Sequence, residues 1–318
     1  MKSLILVYVI SFYIEGNGKI LKNSCPPPED LTKCYCSPEE PTFIDCSNVI
    51  NPKEFIKITE ILSEYQVKYL KIKDSDMLYL PNDSFLHLHI TSLGISDSKI
   101  LDLQNNTFRG LEKSLNTLSV SNITGISSWN WNALKDLDSL SRIIVLDSKW
   151  KGIQHKFPHL NSLTEITFRS NGIRHIAANA FENLDNLKHL DLQSNEIHTI
   201  HRDLLPDPAT NLENINLNKN EIEFIPDDFL LNIPRLKIVF MAENKIKFLS
   251  PKVFRPLLLE QRFFFDLQDN DICCNMDLAS ILKVNLKDHV SFSCNHPEEL
   301  KDEFFWDLTL NDLKNTNC

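Results

Sequence analysis

The spacing of apolar residues over 187–200, LKHLDLQSNEIHTI, defines a unit that recurs along the chain. Leu187, Leu190, Leu192 and Ile197 stand at positions 1, 4, 6 and 11 of the unit, and Asn195 stands at position 9. Alternate side chains of a strand point to the same side, so positions 4 and 6 predict a short strand with one buried face. Positions 1 and 11 add to the same core as the chain turns.

The unit occurs nine times, with starts 23 to 26 residues apart. The clearest copies begin at Leu163, Leu187, Leu212, Leu236 and Arg262, and weaker copies begin at Val67, Ile90, Leu115 and Leu140. Position 9 holds Asn171, Asn195, Asn220, Asn244 and Asn270 in the clear copies, and Ser75, Ser98, Ile123 and Ser148 in the weak ones. The stretch 115–139 is the least regular, so the register is least certain there.

A single unit is too small to bury its apolar face, whereas a stack of units buries a continuous core. The amide of a position-9 Asn both donates and accepts, so a buried Asn ladder can satisfy backbone groups at the turns. Ser at this position can do part of that task. Four phenylalanines, each 18 residues after the start of its unit, predict an aromatic spine under the opposite side of the core: Phe85, Phe108, Phe181 and Phe254.

These units, LxxLxLxxNxI, resemble the leucine-rich repeat family over residues 67 to about 272. The resemblance implies an α/β solenoid, a horseshoe of about nine repeats with a parallel sheet on its concave face. It also implies that the concave face, carried by the variable positions of each strand, binds another protein.

Composition and the N-terminus place this chain in an exported class. A formal net charge of −10 and the lack of a dense basic run argue against a nucleic-acid partner. Lys2, the apolar run Leu4 to Ile14 and the small residues Gly16 and Gly18 are typical of a secretory signal peptide. The sequence has no second apolar run of this kind that would predict a membrane span. We therefore expect a soluble, secreted protein, and nothing in the sequence indicates a homo-oligomer.

Eight cysteines fall into two groups, one at each end of the repeats, and predict disulfide-stapled ends in an oxidising compartment. Zinc binding is disfavoured because paired CxxC units are missing. The expected organisation is a signal peptide over 1–18, an N-terminal cysteine-rich cap over 19–66, repeats over 67–271 and a C-terminal cysteine-rich cap over 272–318. Residues 52–66 predict a short amphipathic helix before the first repeat.

The front group, CPPPEDLTKCYCSPEEPTFIDC, resembles the N-terminal cap of extracellular leucine-rich repeat proteins. That resemblance implies that Cys25 pairs with Cys36 and Cys34 with Cys46. The CPPPED opening, with eight residues before the next cysteine, is also similar to a group of secreted arthropod proteins that includes non-catalytic subunits of oplophorus-luciferin 2-monooxygenase. This narrower resemblance implies an accessory, non-catalytic subunit in a stable complex with a secreted oxidative enzyme.

The back group begins with two adjacent cysteines, Cys273 and Cys274, in DNDICCNMDL. It resembles the C-terminal cap of the same family, in which two cysteines follow the last repeat and two come later. Adjacent side chains of an extended segment point in opposite directions, so each can reach a different partner. Counting from Asn270 favours Cys274–Cys294 and Cys273–Cys318, whereas chain order favours the reverse pairing.

Motifs for chemistry are missing from the sequence, which lacks GxSxG, HExxH, GxGxxG and a P-loop. His198 with His201, and His87 with His89, have the spacing of exposed loop or strand histidines and lack a third ligand nearby. We therefore predict no enzymatic activity, no metal and no cofactor. Three N-x-S/T sequons predict glycosylation at Asn82, Asn105 and Asn122; the first two fall on the convex side.

Bulky apolar residues at variable strand positions are the candidates for partner binding, because those positions should face solvent. The candidates are Ile144, Leu146, Ile238, Phe240, Phe263 and Phe264. Exposed apolar groups on adjacent strands would form the kind of patch that marks an interaction site. Alternatively, the C-terminal cap folds over Phe263 and Phe264 and buries them.

Overall fold

The computed structural model describes residues 12–14, 20–40, 42–125, 130–259, 262–284, 286–314 and 316. Its strands are β1 (Phe12–Ile14), β2 (Ile20–Lys22), β3 (Cys34–Cys36), β4 (Phe43–Ser47), β5 (Tyr69–Lys73), β6 (Asp76–Leu80), β7 (Ser92–Ser96), β8 (Lys99–Leu103), β9 (Thr117–Ser121), β10 (Arg142–Leu146), β11 (Gly152–Ile153), β12 (Glu165–Arg169), β13 (His175–Ile176), β14 (His189–Asp191), β15 (Asn214–Asn216), β16 (Ile238–Phe240), β17 (Phe264–Asp266) and β18 (Val290–Ser291). Its α-helices are α1 (Pro52–Leu62), α2 (Arg255–Leu258), α3 (Ala279–Leu282) and α4 (Leu310–Leu313). Single 3-10 turns cover Trp131–Leu134, Arg202–Leu204, Pro251–Phe254, Met276–Leu278, Glu298–Leu300 and Phe305–Asp307.

A twelve-stranded sheet joins the repeats into one solenoid, in the order β3-β4-β5-β7-β9-β10-β12-β14-β15-β16-β17-β18. Strands β3 and β4 are antiparallel, and every later pairing is parallel. Two small parallel sheets, β6 with β8 and β11 with β13, lie outside it. This architecture confirms the predicted leucine-rich repeat horseshoe.

Strand register follows the predicted repeat positions even in the irregular copy. Leu118 of β9 pairs with Leu93 on one side and Ile143 on the other, and all three are fully buried. The position-4 and position-6 residues therefore form a continuous core, because the period of 2 sends them all to one face. The side chains between them, at positions 3, 5 and 7, form the opposite, outer face of the sheet.

The asparagine ladder links each repeat to its neighbours through the turns after the strands. In Asn220, Oδ1 accepts from the Ile197 N–H at 3.1 Å, and Nδ2 donates to the Leu192 and Leu217 carbonyls, each at 3.0 Å. Asn195, Asn244 and Asn270 make corresponding bonds. The ladder therefore satisfies buried N–H and C=O groups of adjacent repeats.

Serine reproduces half of this arrangement, as predicted. The Ser148 hydroxyl accepts from the Ile123 N–H at 3.2 Å but donates to the Leu146 carbonyl of its own repeat at 2.7 Å. Ser75 and Ser98 behave in the same way. A hydroxyl has only one hydrogen, which serine donates within its own repeat. Serine therefore still accepts from an N–H of the previous repeat, but it cannot donate to a carbonyl of that repeat as asparagine does.

The residue before each ladder position turns the chain with a left-handed backbone. All nine position-8 residues have φ between 48° and 59°: Asp74, Asp97, Asn122, Asp147, Ser170, Ser194, Lys219, Glu243 and Asp269. Asn and Asp tolerate this region better than other non-glycine residues. The chain, which is poor in glycine, uses them here in five repeats.

The convex side of the core is filled by aromatic rings. Phe85, Phe108, Phe181 and Phe254 are buried, and Phe85 stacks on Phe108 with ring centroids 6.1 Å apart. The two repeats that begin at Leu115 and Leu140 have Ala133 and Pro158 at this position. Trp131 and Phe157, one or two residues earlier in those repeats, stack on each other at 4.3 Å and fill the space.

The front cap covers the first repeat with α1 and two disulfides. Helix α1 starts at the cap Asn51, whose side chain accepts from the Lys53 N–H, and it buries Phe55, Ile58 and Leu62. Disulfides join Cys25 to Cys36 and Cys34 to Cys46, which confirms the predicted pairing.

The back cap separates the two adjacent cysteines. Cys274 is bonded to Cys294, as counting from Asn270 predicts, so a bond between the neighbours is excluded. Cys273 is also disulfide-bonded; its predicted partner, Cys318, lies outside the described residues. Phe292 and Phe305 stack at 4.6 Å to form the small core of this cap.

The predicted signal peptide lies mostly outside the described residues. Strand β1 falls within it and pairs with β2 in antiparallel fashion. None of the helices in the described part of the chain has the length and apolarity that crossing a membrane requires.

Candidate functional site on the concave face

The outer face of the sheet divides into four parts, namely an N-terminal zone, a central zone, a polar network and a C-terminal zone, which follow from the residues at positions 3, 5 and 7. The N-terminal zone is aromatic and basic. Phe43 of β4 stacks on Tyr69 of β5, with centroids 4.8 Å apart and planes 6° apart. A Cβ on Gly94 would lie 2.6 Å from the Tyr69 hydroxyl, so this glycine leaves the room in which the ring lies.

Charges surround this aromatic pair. Lys73 pairs with Asp45 at 3.1 Å, and burial followed by the Asp45 charge raises the pKa of Tyr69. The exposed Tyr35 of β3, opposite Asp45 in the register, extends the zone. Phe43 and Tyr35 were not predicted as surface residues because they lie in the cap. The alternation of Phe43, Asp45 and Ser47 with the buried Ile44 and Cys46 is the signal for Phe43, and Tyr35 alternates with Cys34 and Cys36.

The central zone is built around two candidates, Ile144 and Leu146 of β10, which are half-buried. The register places Ile144 between Ser119 and Thr167, and Leu146 between Ser121 and Arg169. Two aliphatic side chains thus stand above small or polar neighbours. They are four strands from β16, roughly 19 Å along the sheet, and so form a group separate from the C-terminal candidates.

A polar network follows towards the C-terminus. Arg169 Nε donates to Asp191 Oδ2 at 2.8 Å, and the pairing holds the pKa of Arg169 above its ordinary value. Asn216 Nδ2 donates to Gln193 Oε1 at 3.1 Å and to Asp191 at 3.3 Å. These groups satisfy one another, which leaves them less available for a partner than the apolar residues on either side.

The C-terminal zone brings three predicted residues together. Ile238 of β16 pairs in the register with Phe264 of β17, and Phe240 is opposite Asp266. Ile238 and Phe240 are half-buried and Phe264 is 38% exposed. We call these three residues the concave apolar cluster.

The prediction for Phe263 is wrong, because this residue belongs to the core. It is 2% exposed, and its ring lies 6.4 Å from that of Phe265. Other repeats bury an apolar residue at position 1, such as Leu236, but the last repeat has the exposed Arg262 there. Phe263, at position 2, fills the part of the core that the position-1 residue fills in the other repeats. The concave apolar cluster therefore has one phenylalanine on β17 rather than two adjacent ones.

Asp266 stands beside this cluster, and burial raises the pKa of its carboxyl group although Oδ1 accepts from the Gln268 N–H. A raised folded-state pKa means that folding favours the protonated form, so stability from this group is present at low pH and is lost as the pH rises through that pKa. Asp266→Asn keeps an Oδ1 acceptor and removes the charge. We expect the variant to be more stable than wild type at pH 7. Below pH 3.8, the ordinary pKa of an aspartic acid side chain, the two proteins should be equally stable.

Urea unfolding of wild type and variant at pH 3 and pH 7 measures this difference. The exposed Asp185→Asn serves as the control and should leave stability unchanged at both pH values. A variant that is destabilised at pH 7 would show that the ionised carboxylate of Asp266 supports the fold.

The predicted histidine pairs and sequons lie apart from these zones. His198 Nε2 lies 3.0 Å from Glu221 Oε2, and the described residues contain no group of three or more His, Cys, Asp or Glu side chains that could hold a metal ion. Asn82 and Asn105 occupy equivalent exposed positions in consecutive repeats. Asn122 lies in the turn after β9, where its Nδ2 donates to Asp97 Oδ1 at 2.9 Å.

Comparison with known proteins supports this architecture. A family model described as "Leucine rich repeat" matches residues 154–207 and 210–272. Human Toll-like receptor 8 is 25% identical over 189 residues, which cover 54% of this chain and 18% of the receptor. Bovine keratocan is 23% identical over 250 residues, or 69% of this chain and 62% of keratocan. The chain thus spans less than two thirds of the length of these curated relatives.

Solved structures resemble it over most of its length. Human 5T4 superposes with a TM-score of 0.60 at 18% identity, covering 92% of this chain and 100% of that one. A chain of the octameric complex of Latrophilin 3, Unc5D and FLRT2 has a TM-score of 0.60 at 19% identity, covering 81% and 86%. The chain therefore has the fold of a leucine-rich repeat solenoid, with disulfide-bonded cysteines near both ends.

Proposed function

We propose that this protein is a secreted, non-catalytic scaffold that binds another protein through the concave face. The concave apolar cluster, Ile238, Phe240 and Phe264, is the single observation that carries the proposal. Buried aromatic anchors surrounded by polar residues supply most of the energy of protein interfaces. This cluster has that composition, with Asp266, Asn214 and Gln268 around it.

The fixed geometry of the sheet favours binding by this face. Its side chains are carried by strands that pair with a partner on both sides, so a ligand would not have to order the backbone when it binds. The complex of Latrophilin 3, Unc5D and FLRT2 contains a leucine-rich repeat component in a multi-protein assembly. We propose the same class of task, an interaction with another protein, for this chain.

The rest of the predicted organisation fits an exported binding module. We propose a signal peptide over 1–18, caps over 19–66 and 272–318, and repeats over 67–271. Disulfides in both caps agree with an oxidising compartment. Glycans at Asn82 and Asn105 would occupy convex loops and leave the concave face open. A glycan at Asn122 would lie at the edge of the sheet.

A second candidate function is that of an accessory subunit held in a stable complex with a secreted oxidative enzyme. Its support is the front cap sequence, in which eight residues separate Cys25 from Cys34. The two functions differ in the identity of the partner and in the lifetime of the complex, so one capture experiment distinguishes them.

Affinity capture from the source secretion, followed by mass spectrometry, tests the proposal with three forms of the full chain. Wild type and Leu258→Asp, an exposed residue of α2, should recover the same partner. Phe240→Asp should recover at least about tenfold less, because a carboxylate replaces an anchor. Equal recovery by all three forms, or no partner with wild type, would refute concave-face binding. An oxidative enzyme that stays bound through size-exclusion chromatography would establish the second function.

A further inference from the structure

An open groove of about 980 Å³ lies at the edge of the sheet where the strands end, and Gln268, which borders the concave apolar cluster, also lines it. Its walls come from the turns that follow β15, β16 and β17 and from the cap segment after β18. The volume is at the upper end of the range for ligand pockets in proteins. Asn295 and Asp302 of the cap line the groove together with Asp269 and Asn270 of the last repeat, and the Asn295 N–H donates to the Ile272 carbonyl at 2.8 Å.

Two phenylalanines project into the groove. Phe224 is 54% exposed and Phe248 is 55% exposed, and both line its wall. They occupy position 13 of consecutive repeats, where the two preceding repeats carry His175 and Thr199. The core does not require them, because the neighbouring Ile222, Ile225, Ile246 and Leu249 are the buried residues of these turns.

The charges around these rings are predominantly negative. The two lysines of the groove are already paired, Lys245 with Glu221 at 2.9 Å and Lys247 with Asp271 at 3.4 Å. Glu223, Asp269 and Asp302 also line the groove and have no ion pair with any other described residue. Three unpaired carboxylates thus stand beside two exposed aromatic faces.

We propose that this groove binds an extended, arginine- or lysine-rich segment of a partner protein. Long basic side chains pack their methylene stems on apolar surface while their charged ends remain solvated, and cations are attracted to aromatic faces. Phe224 and Phe248 offer those faces, and the carboxylates of Glu223, Asp269 and Asp302 receive the charges. An acidic or purely aliphatic segment would leave these carboxylates unpaired or repelled. The inference is independent of the concave-face function.

Fluorescence anisotropy with the full chain tests this site, using a short fluorescein-labelled peptide that alternates arginine and leucine. Phe248→Ser should bind the peptide about tenfold more weakly than wild type, because one aromatic face is lost. The matched control Tyr79→Ser removes a partly exposed aromatic residue of β6, outside both the groove and the concave apolar cluster, and should bind like wild type. Circular dichroism confirms that both variants are folded.

A second pair of variants separates the groove from the general attraction of an acidic protein for a basic peptide. Asp269→Asn should weaken binding several-fold, and asparagine tolerates the left-handed backbone at this position. Asp185→Asn removes an exposed charge that does not line the groove and should leave binding unchanged. The proposal is overturned if wild type does not bind the peptide, if it binds a glutamate version equally well, or if each groove variant matches its control.

Discussion

Asn220→Ala is expected to lower the free energy of unfolding by about 3 kcal/mol. The substitution leaves the buried N–H of Ile197 without its acceptor, which costs about 1–3 kcal/mol. The carbonyls of Leu192 and Leu217 each keep one donor, from Asn195 and Asn244. The remaining loss comes from the three missing bonds donated by Nδ2, the third of which goes to the Asn218 carbonyl at 3.3 Å, and from the space vacated by the amide.

Asn220→Ser should cost only about 1 kcal/mol. The hydroxyl can accept from the Ile197 N–H, as Ser148 accepts from Ile123, and can donate to the carbonyl two residues earlier. Asn214→Ala, on the outer face of the neighbouring strand, is the control and should change stability by less than about 0.5 kcal/mol. Urea unfolding measures the series. If serine and alanine are equally destabilising, the N–H acceptor is not what the ladder contributes.

The ladder and the strands were predictable because their determinants are local and repeat. Positions 4, 6 and 9 recur nine times, so chance substitutions such as Ile123 at a ladder position do not hide the register. The left-handed turn at position 8 left a signal as well, in Asp74, Asp97 and Asp147. That signal was weaker because Lys219 and Glu243 adopt the same backbone.

The concave apolar cluster was predicted in part, and the error at Phe263 has a local cause. The repeat pattern predicts that position 2 is exposed to solvent. In the last repeat, however, the buried residue is Phe263 at position 2 and not Arg262 at position 1. Burial of Phe263 follows from the exposure of Arg262, and a repeat template treats these positions as independent. The sequence left open an exposed patch or burial of both residues under the C-terminal cap; Phe264 is partly exposed, and Phe263 is buried in the core of its own repeat.

The groove could not be predicted from repeat positions alone. Aligning the repeats would show that Phe224 and Phe248 share position 13, which identifies an exposed aromatic pair. The opposite wall, formed by Asn295 and Asp302, belongs to the back cap, whose path is not periodic. Its placement depends on how the cap packs on the last repeat, where the Cys274–Cys294 disulfide and the bonds from the Asn295 and His296 N–H groups to the Ile272 carbonyl hold it.

Cys274→Ala combined with Cys294→Ala is therefore expected to destabilise the C-terminal end by about 3 kcal/mol, the chain-entropy value for a cross-link of this span. The two cysteines are 20 residues apart in sequence and both are buried. Hydrogen exchange measured along the chain should show lost protection in β16, β17 and β18 and unchanged protection in β5 and β7. Each repeat contacts only its neighbours, so the effect should decay along the solenoid.

The front cap provides the mirror-image control for this variant. Cys25→Ala with Cys36→Ala removes a cross-link of similar span, 11 residues, at the other end and should reverse the pattern of lost protection. Loss of protection spread evenly over all strands in both variants would contradict a solenoid stabilised by local contacts. The back-cap variant should also weaken binding of the basic peptide, because the cap segment that carries Asn295 and Asp302 would lose its cross-link to the end of the last repeat. The front-cap variant should keep that binding, since the cross-link it removes lies at the far end of the sheet.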